Sequence, residues 1–132
     1  MYELVVKGGF SAAHNLRDYQ GRCESLHGHN WKVEVYVRSS TLKGGMAIDF
    51  QVLKGELRAV LEELDHKYLN ELPYFKEREP SSENIARYIY EGLRGRLEGQ
   101  GVNLWKVTVW ESEGAGASWV EEGDGGRSEP EG

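Results

Sequence analysis

Apolar and polar residues alternate in several stretches of the chain, which is the pattern of β-strands with one buried face. Tyr2 to Lys7 predicts a short strand that Gly8 and Gly9 interrupt, and Phe10 to His14 is expected to resume as extended chain. The clearest strand spans Asn30 to Arg38, because its apolar residues all fall on one side. These apolar residues are Trp31, Val33, Val35 and Val37.

The middle of the chain changes to the three- and four-residue spacing of helices that bury one face. Asp49 is positioned to cap a first helix, and Ser81 or Ser82 to cap a second helix that follows Pro80. Glu83 falls in the first turn of the second helix, where a negative charge interacts favourably with the helix dipole. The apolar stripe of the first helix is Phe50, Leu53, Leu57, Val60, Leu61 and Leu64, and that of the second is Ile85, Ile89, Leu93 and Leu97.

Two more strands are predicted after the second helix, at Leu104 to Glu111 and at Ala117 to Glu121. The order is therefore β-β-α-α-β-β. Strands grouped around helices, instead of alternating with them, predict an α+β fold in which two helices cover one face of an antiparallel sheet. A sheet this small leaves exposed edge strands, and pairing with other subunits is one way to cover them.

The length of 132 residues predicts a single domain, for which we set the bounds 1–121. Residues 122–132 form an acidic tail rich in Gly and Glu, which is expected to be disordered and solvating. From Glu121 onward there are five acidic residues and one arginine, so most of the net charge of −6 comes from this end. The rest of the domain has only a small negative charge and can contain a basic pocket for an anionic substrate.

The acidic balance argues against broad nucleic-acid binding, which normally requires a basic surface. No apolar run approaches the roughly 18 residues of a membrane span, and the N-terminal segment is too short for a signal peptide. A single cysteine excludes an internal disulfide and suits the reducing cytoplasm. We therefore expect a cytoplasmic protein that acts on a small molecule.

His27 and His29 are the strongest candidates for chemistry, because residues two apart in extended chain point to the same side. Gly28 between them lets the backbone approach closely. Imidazole nitrogens are ligands that zinc accepts, and His14 is the candidate third ligand because its segment can pair beside the other two. The alternative is that each histidine is a surface or hydrogen-bonded residue with no ligand role.

Cys23 lies four positions before His27 and leaves two kinds of metal site open. If Cys23 binds the ion with the three histidines, the site is closed and structural. If it stays free, the ion keeps an open position, as in catalytic zinc sites. A thiolate is favoured near a metal and can act as a base or nucleophile, whereas the plainer interpretation is a small buried hydrophobic residue.

Two further groups are candidates for proton transfer or ligand binding. Asp65 directly precedes His66, and an aspartate that orients an imidazole makes it a better proton acceptor. Glu111 shares the parity of Val107 and Val109, where a carboxylate is costly to bury unless it accepts hydrogen bonds. A substrate with a row of N–H donors would provide them. The alternative for Asp65 and His66 is a solvated helix end, and the alternative for Glu111 is a solvated strand end.

Six segments, taken in order, resemble the 6-pyruvoyl-tetrahydropterin synthase family, and most of all its 6-carboxy-tetrahydropterin synthase branch. Together they cover nearly everything from residue 2 to about residue 121. The spacing of three residues between Cys23 and His27 is similar to that of the carboxy-forming branch. The segments are Phe10–His14, Cys23–Asn30, Met46–Phe50, Leu64–Asn70, Pro80–Asn84 and Val109–Ser112.

The resemblance implies a tunnelling fold (T-fold), in which a four-stranded antiparallel sheet and two helices per subunit assemble through the sheet edges. Three subunits form a barrel, two trimers stack as a homohexamer, and the active sites lie at subunit boundaries. Ser81 and Ser82 stand where the family often has Pro-Thr and keep hydroxyl groups available to the substrate. The other implied roles are zinc (Zn2+) binding by His14, His27 and His29, acid–base catalysis by Cys23, proton transfer by Asp65 with His66, and pterin binding by Glu111.

The implied reaction converts 7,8-dihydroneopterin triphosphate to 6-carboxytetrahydropterin, acetaldehyde and triphosphate, as in queuosine and other deazapurine pathways. Glu24 directly follows Cys23, and a related branch that forms 6-hydroxymethyl-dihydropterin uses a glutamate in this loop. An aldolase-like or pyruvoyl-forming enzyme is therefore the alternative. A non-catalytic pterin-binding protein, with a structural zinc bound by Cys23 and three histidines, is a more distant one.

Overall fold

Two long strands lie at the centre of the structure, a computed structural model that describes residues 1–122. Strand β1 is Tyr2–His14 and strand β2 is His27–Ser39, and the two pair antiparallel along their whole length. The other elements, in chain order, are helix α1 (Phe50–Leu61), strand β3 (Lys67–Tyr68), 3₁₀ turns at Leu69–Glu71 and Pro73–Phe75, helix α2 (Ser82–Arg96), strand β4 (Asn103–Ser112) and strand β5 (Ala115–Val120).

The strands within residues 1–122 form one sheet in the order β3-β1-β2-β4-β5. Neighbouring strands are antiparallel except β3, which pairs parallel to β1. Helix α1 contacts β1, helix α2 contacts β4 and β5, and the two helices contact each other. The α+β class is confirmed, with the predicted order of its main strands and helices.

Every second residue of the central strands is buried beneath the helices. Val33 and Val35 of β2 and Val107 of β4 are inaccessible to solvent, as are Leu53 of α1 and Ile89 of α2. Burying a side chain of this size contributes about 1.5–3 kcal/mol, so this apolar face decides which side of the sheet is inward. The period of two in the sequence therefore predicted the buried face of β2 correctly.

Both helices begin where the sequence predicted, because a side chain caps each of them. The Asp49 carboxylate accepts a hydrogen bond from the backbone N–H of Gln51 at 2.8 Å, and the Ser81 hydroxyl accepts one from Asn84 at 3.2 Å. The first helix ends at Leu61, earlier than its apolar stripe suggested. Leu64 is nevertheless fully buried, because the turn after α1 returns it to the core.

The expectation of a sheet with four antiparallel strands is wrong in one respect. Strand β3 is a fifth strand, and it makes the sheet mixed because Lys67 and Tyr68 pair parallel to Ala12 and Ala13. Two residues are too few to show a period, so no sequence pattern could predict them. Strand β5 also begins at Ala115, two residues before its predicted start.

The predicted interruption at Gly8 and Gly9 is also wrong, since β1 runs through both residues. A Cβ atom at Gly9 would lie 2.9 Å from the carbonyl oxygen of Trp31 on the paired strand. A Cβ atom at Gly8 would lie 3.1 Å from side-chain carbons of Leu57 and Leu61 on α1. The two glycines therefore allow close packing of β1 against β2 and α1.

No helix in the described part of the chain is long and apolar enough to cross a membrane. Apart from Glu122, the predicted acidic tail at residues 122–132 lies outside the described residues.

We expect Gly9→Ala to lower the free energy of unfolding by about 1–3 kcal/mol, because strand β1 would have to move away from the Trp31 carbonyl. Gly55→Ala is the matched control, since Gly55 lies within α1 with no atom within 4 Å of the added carbon. That substitution should stabilise the protein by roughly 0.5–1 kcal/mol. Urea unfolding followed by circular dichroism measures both, and equal effects would contradict the close approach of the strands.

Candidate metal centre

Three histidines lie where the buried faces of β1 and β2 reach the end of the sheet. His14 pairs directly with His27, and His29 pairs with Ala12, one step along the ladder. His27 and His29 share the parity of Trp31, so all three imidazoles extend the core face of the sheet. Their ring centroids are separated by 4.7 Å (His14–His27), 5.2 Å (His14–His29) and 4.7 Å (His27–His29).

Backbone carbonyl groups fix the orientation of two of these rings. Nδ1 of His14 donates to the carbonyl of Pro80 at 2.7 Å, and Nδ1 of His27 donates to the carbonyl of Ser25 at 2.8 Å. A carbonyl oxygen only accepts, so the neutral rings carry their proton on Nδ1 and present Nε2 as a lone pair. In metal sites, hydrogen bonds from the ring nitrogen that does not bind the ion orient histidine ligands in this way.

Glu111 completes the group from strand β4. Its Oε2 atom lies 2.8 Å from Nε2 of His29, 3.8 Å from that of His14 and 4.0 Å from that of His27. Its Oε1 atom is 3.4 Å from the Ser82 hydroxyl, which donates to it. The carboxylate is therefore held at one oxygen by α2 and faces the imidazoles with the other.

The donor atoms of this group fit a divalent metal ion. The three imidazoles and the Glu111 carboxylate each offer one ligand atom, and these atoms all lie within 4.8 Å of one another. Nε2 of His14 and Nε2 of His29 are buried without a hydrogen-bond partner, although Oε2 of Glu111 lies 2.8 Å from Nε2 of His29. Buried nitrogens without partners are costly, and a bound cation would satisfy both of them.

The charge state of His29 also suits a ligand. Burial lowers the pKa of His29 and outweighs the nearby Glu111 carboxylate, which raises it; His14 and His27 add to the lowering. The imidazole is therefore neutral near pH 7, which is the form that binds metals.

Cys23 and Glu24 lie on the loop between β1 and β2, and neither belongs to the four-residue group. Cys23 is exposed, which argues against a buried hydrophobic role and gives no support to a closed site with Cys23 as fourth ligand. Glu24 is half-buried, and its Oε1 atom accepts a hydrogen bond from the backbone N–H of Leu16 at 3.0 Å. Its negative charge opposes, without reversing, the lowering of the His29 pKa that burial causes.

Asp65 and His66 form a pair, and neither belongs to the group of three imidazoles and Glu111. Oδ2 of Asp65 is 3.0 Å from Nδ1 of His66, and its Oδ1 accepts from the backbone N–H of Ser11 at 2.8 Å. The Ser11 hydrogen bond, and then the neighbouring His66, lower the pKa of Asp65. The His66 side chain is 81% exposed and lines an open groove that also includes Ser11, Asn30 and His29.

The two serines have different positions. The Ser81 hydroxyl caps α2, whereas the Ser82 hydroxyl contacts Glu111 at the metal group. The roles of the Pro80 and Ser25 carbonyls could not be predicted from the sequence, because a backbone oxygen carries no side-chain signal. Only the folded chain reveals that they hold His14 and His27.

Comparisons with known proteins agree with this architecture. A model of the family described as 6-pyruvoyl tetrahydropterin synthase matches residues 3–122. The 6-carboxy-5,6,7,8-tetrahydropterin synthase of Synechocystis sp. is 39% identical over 119 residues, which cover 85% of this chain and 88% of that protein. The dihydroneopterin monophosphate aldolase of Pyrococcus furiosus is 36% identical over 108 residues, which cover 82% of this chain and 88% of that protein.

The fold itself has solved relatives. The structure of Caenorhabditis elegans 6-pyruvoyl tetrahydropterin synthase matches with a TM-score of 0.78 and 28% identity, covering 90% of this chain and 94% of that one. The family model and the curated relatives each span most of this chain. The chain therefore belongs to the 6-pyruvoyl tetrahydropterin synthase family.

Proposed function

We propose that the protein is a zinc-dependent 6-carboxy-5,6,7,8-tetrahydropterin synthase. It would convert 7,8-dihydroneopterin triphosphate and water to 6-carboxytetrahydropterin, acetaldehyde and triphosphate, and so supply a deazapurine pathway such as that to queuosine. The proposal rests mainly on one observation. Three imidazoles converge, and in two of them Nδ1 donates to a backbone carbonyl, which leaves Nε2 free to bind a metal ion. The Synechocystis relative of that name supports the choice of product.

Zinc held by His14, His27 and His29 would act as a Lewis acid toward the hydroxyl groups of the substrate side chain. The Glu111 carboxylate, which Ser82 holds from α2, would accept N–H groups from the pterin ring edge. Its Oε2 atom faces the imidazoles, and it would have to give up its contact with one of them to accept an N–H group of the pterin.

Proton transfer would be divided between two groups. Cys23 lies exposed on the loop beside the metal group, where a thiolate could remove a proton from the substrate side chain. His66, oriented by Asp65, would return a proton to the other face of the substrate.

The exposure of His66 supports a site shared between chains. His66 stands at the edge strand β3, and edge strands are where sheets of separate subunits pair. We propose that a neighbouring subunit contributes Asp65 and His66 to each active site, in a homohexamer of two stacked trimers. We also propose that the enzyme works in the cytoplasm, where the lone thiol stays reduced.

An aldolase-like activity that gives 6-hydroxymethyl-dihydropterin is the second candidate, and Glu24 is the observation that favours it. The carboxylate of Glu24 is half-buried, held by the N–H of Leu16 and close to His29, whereas Cys23 is exposed. A carboxylate fixed in this way could serve as the base in place of the thiol. The aldolase of Pyrococcus furiosus among the relatives supports this candidate as well.

We expect the purified protein to bind about one zinc ion per chain, and His29→Ala to weaken zinc binding about 100-fold or more. His66→Ala is the matched control, because it removes an exposed imidazole outside the metal group. Cys23→Ala should also keep its zinc, which separates an open site from a structural site that includes the thiol. Competition with a chromophoric chelator measures each affinity, and equal affinities of His29→Ala and His66→Ala would exclude this metal centre.

The products of zinc-loaded protein with 7,8-dihydroneopterin triphosphate, identified by mass spectrometry, decide between the two candidates. We expect a carboxylated pterin with acetaldehyde, and a loss of about 10²–10⁴-fold in turnover for Cys23→Ala. Glu24→Gln should retain that product, as should the control Glu77→Gln, an exposed residue far along the chain. A hydroxymethyl pterin whose formation Glu24→Gln abolishes would establish the second candidate instead.

Mixing two inactive variants tests whether the sites are shared between chains. Cys23→Ala and His66→Ala should each be inactive alone, and subunit exchange between them should restore about a quarter of the wild-type activity, since that fraction of boundaries combines both intact residues. Turnover after dissociation and reassembly of the mixture is the measurement. If every site lies within one chain, no activity returns.

A further inference from the structure

The buried side chain of Asn70 continues the hydrogen bonding of the sheet by one residue beyond the end of β1. The Asn15 backbone N–H donates to Oδ1 of Asn70 at 3.1 Å, and Nδ2 of Asn70 donates to the Asn15 carbonyl at 2.8 Å. This reciprocal pair continues the β1–β3 pairing after β3 has turned into a 3₁₀ helix. Asn70 is only 7% exposed, so its carboxamide serves both backbone groups of the residue next to His14.

The side chain of Asn15 connects this pair to the loop between β1 and β2. Its Oδ1 atom accepts from the Tyr68 hydroxyl at 2.7 Å, and its Nδ2 atom donates to the Glu24 carbonyl at 3.1 Å. Glu24 in turn donates its backbone N–H to the Leu16 carbonyl at 2.8 Å and accepts from the Leu16 N–H at 3.0 Å. The loop from Asn15 to Glu24 is thus closed at its base.

We propose that Asn15 and Asn70 form a latch that positions this loop, and with it Cys23 and Glu24, relative to the three imidazoles. The inference rests on the proposed function for its catalytic meaning, because Cys23 and Glu24 are the candidate bases there. The latch acts separately from the metal ligands, since His14 and His27 are held by Pro80 and Ser25. Asn15, Asn70 and Tyr68 are therefore positioning residues, which act through the hydrogen bonds that connect them to one another and to the loop.

Misplacing a catalytic group by about 1 Å can cost 100-fold in rate, whereas the binding of substrate at other groups is unaffected. Loosening the latch should therefore lower kcat and leave KM unchanged. It should also leave zinc affinity unchanged, because the hydrogen bonds from His14 to Pro80 and from His27 to Ser25 are not part of the latch. These two results together separate positioning from a general loss of structure.

Tyr68→Phe is the mildest of the substitutions that test the latch. It removes only the hydroxyl that donates a hydrogen bond to the Asn15 side chain, at a partly exposed position. We expect kcat to fall about fivefold, with KM, zinc affinity and the melting temperature unchanged. The backbone amides of Leu16 and Glu24 should exchange with deuterium faster by a similar factor. Tyr2→Phe is the matched control, since Tyr2 is an exposed tyrosine at the far end of β1.

Asn70→Asp provides a stronger perturbation of nearly the same shape. It keeps an acceptor for the Asn15 N–H but offers the Asn15 carbonyl no donor, so kcat should fall about tenfold or more. Wild-type exchange at Leu16 and Glu24 in both variants would overturn the latch, and faster exchange with unchanged kcat would overturn its positioning role. If the wild-type protein consumes no pterin triphosphate, the proposed function fails, and the amide exchange still decides whether the latch exists.

Discussion

The antiparallel pairing of β1 with β2 is the interaction on which the rest of this structure depends. Its register sets His14 opposite His27 and brings His29 to the same face. Side chains alternate between the two faces of a strand, so a slip of one residue would move His14 to the opposite face from its partners. The buried valines and Trp31 prevent that slip, because it would also expose them to water. The hydrophobic core therefore fixes the geometry of the candidate metal centre.

The metal group lies where this core changes from apolar to polar side chains. Trp31 packs edge-on against His14 and His29, with ring centroids 5.0 and 5.2 Å away, so the imidazoles are an extension of the packed interior. Buried polar atoms need partners, and carbonyl oxygens of two loops provide them at Nδ1. The Nε2 atoms are left to converge with Glu111. The strands thus position the histidine ligands, and the loop carbonyls fix the orientation of two of the imidazole rings.

The groups proposed for proton transfer are attached in a different way. Cys23 and Glu24 belong to a loop that is closed by hydrogen bonds of Asn15, and Asp65 and His66 belong to the turn after α1. His66 has a φ of 60°, a left-handed conformation that is unfavourable for a residue with a Cβ. Its backbone N–H donates to the Ser11 carbonyl, which helps to hold that conformation and presents the imidazole to solvent at the sheet edge. This exposure is consistent with a site completed by a second subunit.

The sequence by itself determined the local structure and the kinds of chemistry. The period of two predicted the buried face of β2, capping residues predicted where both helices begin, and the spacing of His27 and His29 predicted that they share a side. The tertiary structure alone decided which partners those residues meet. It brought Glu111 to within 2.8 Å of His29, left His66 outside the group of four possible metal ligands, and added the parallel strand β3. The reason is that side-chain period and capping depend on a few consecutive residues, whereas these contacts join residues far apart in the chain, and only the packing of the helices on the sheet fixes their distance.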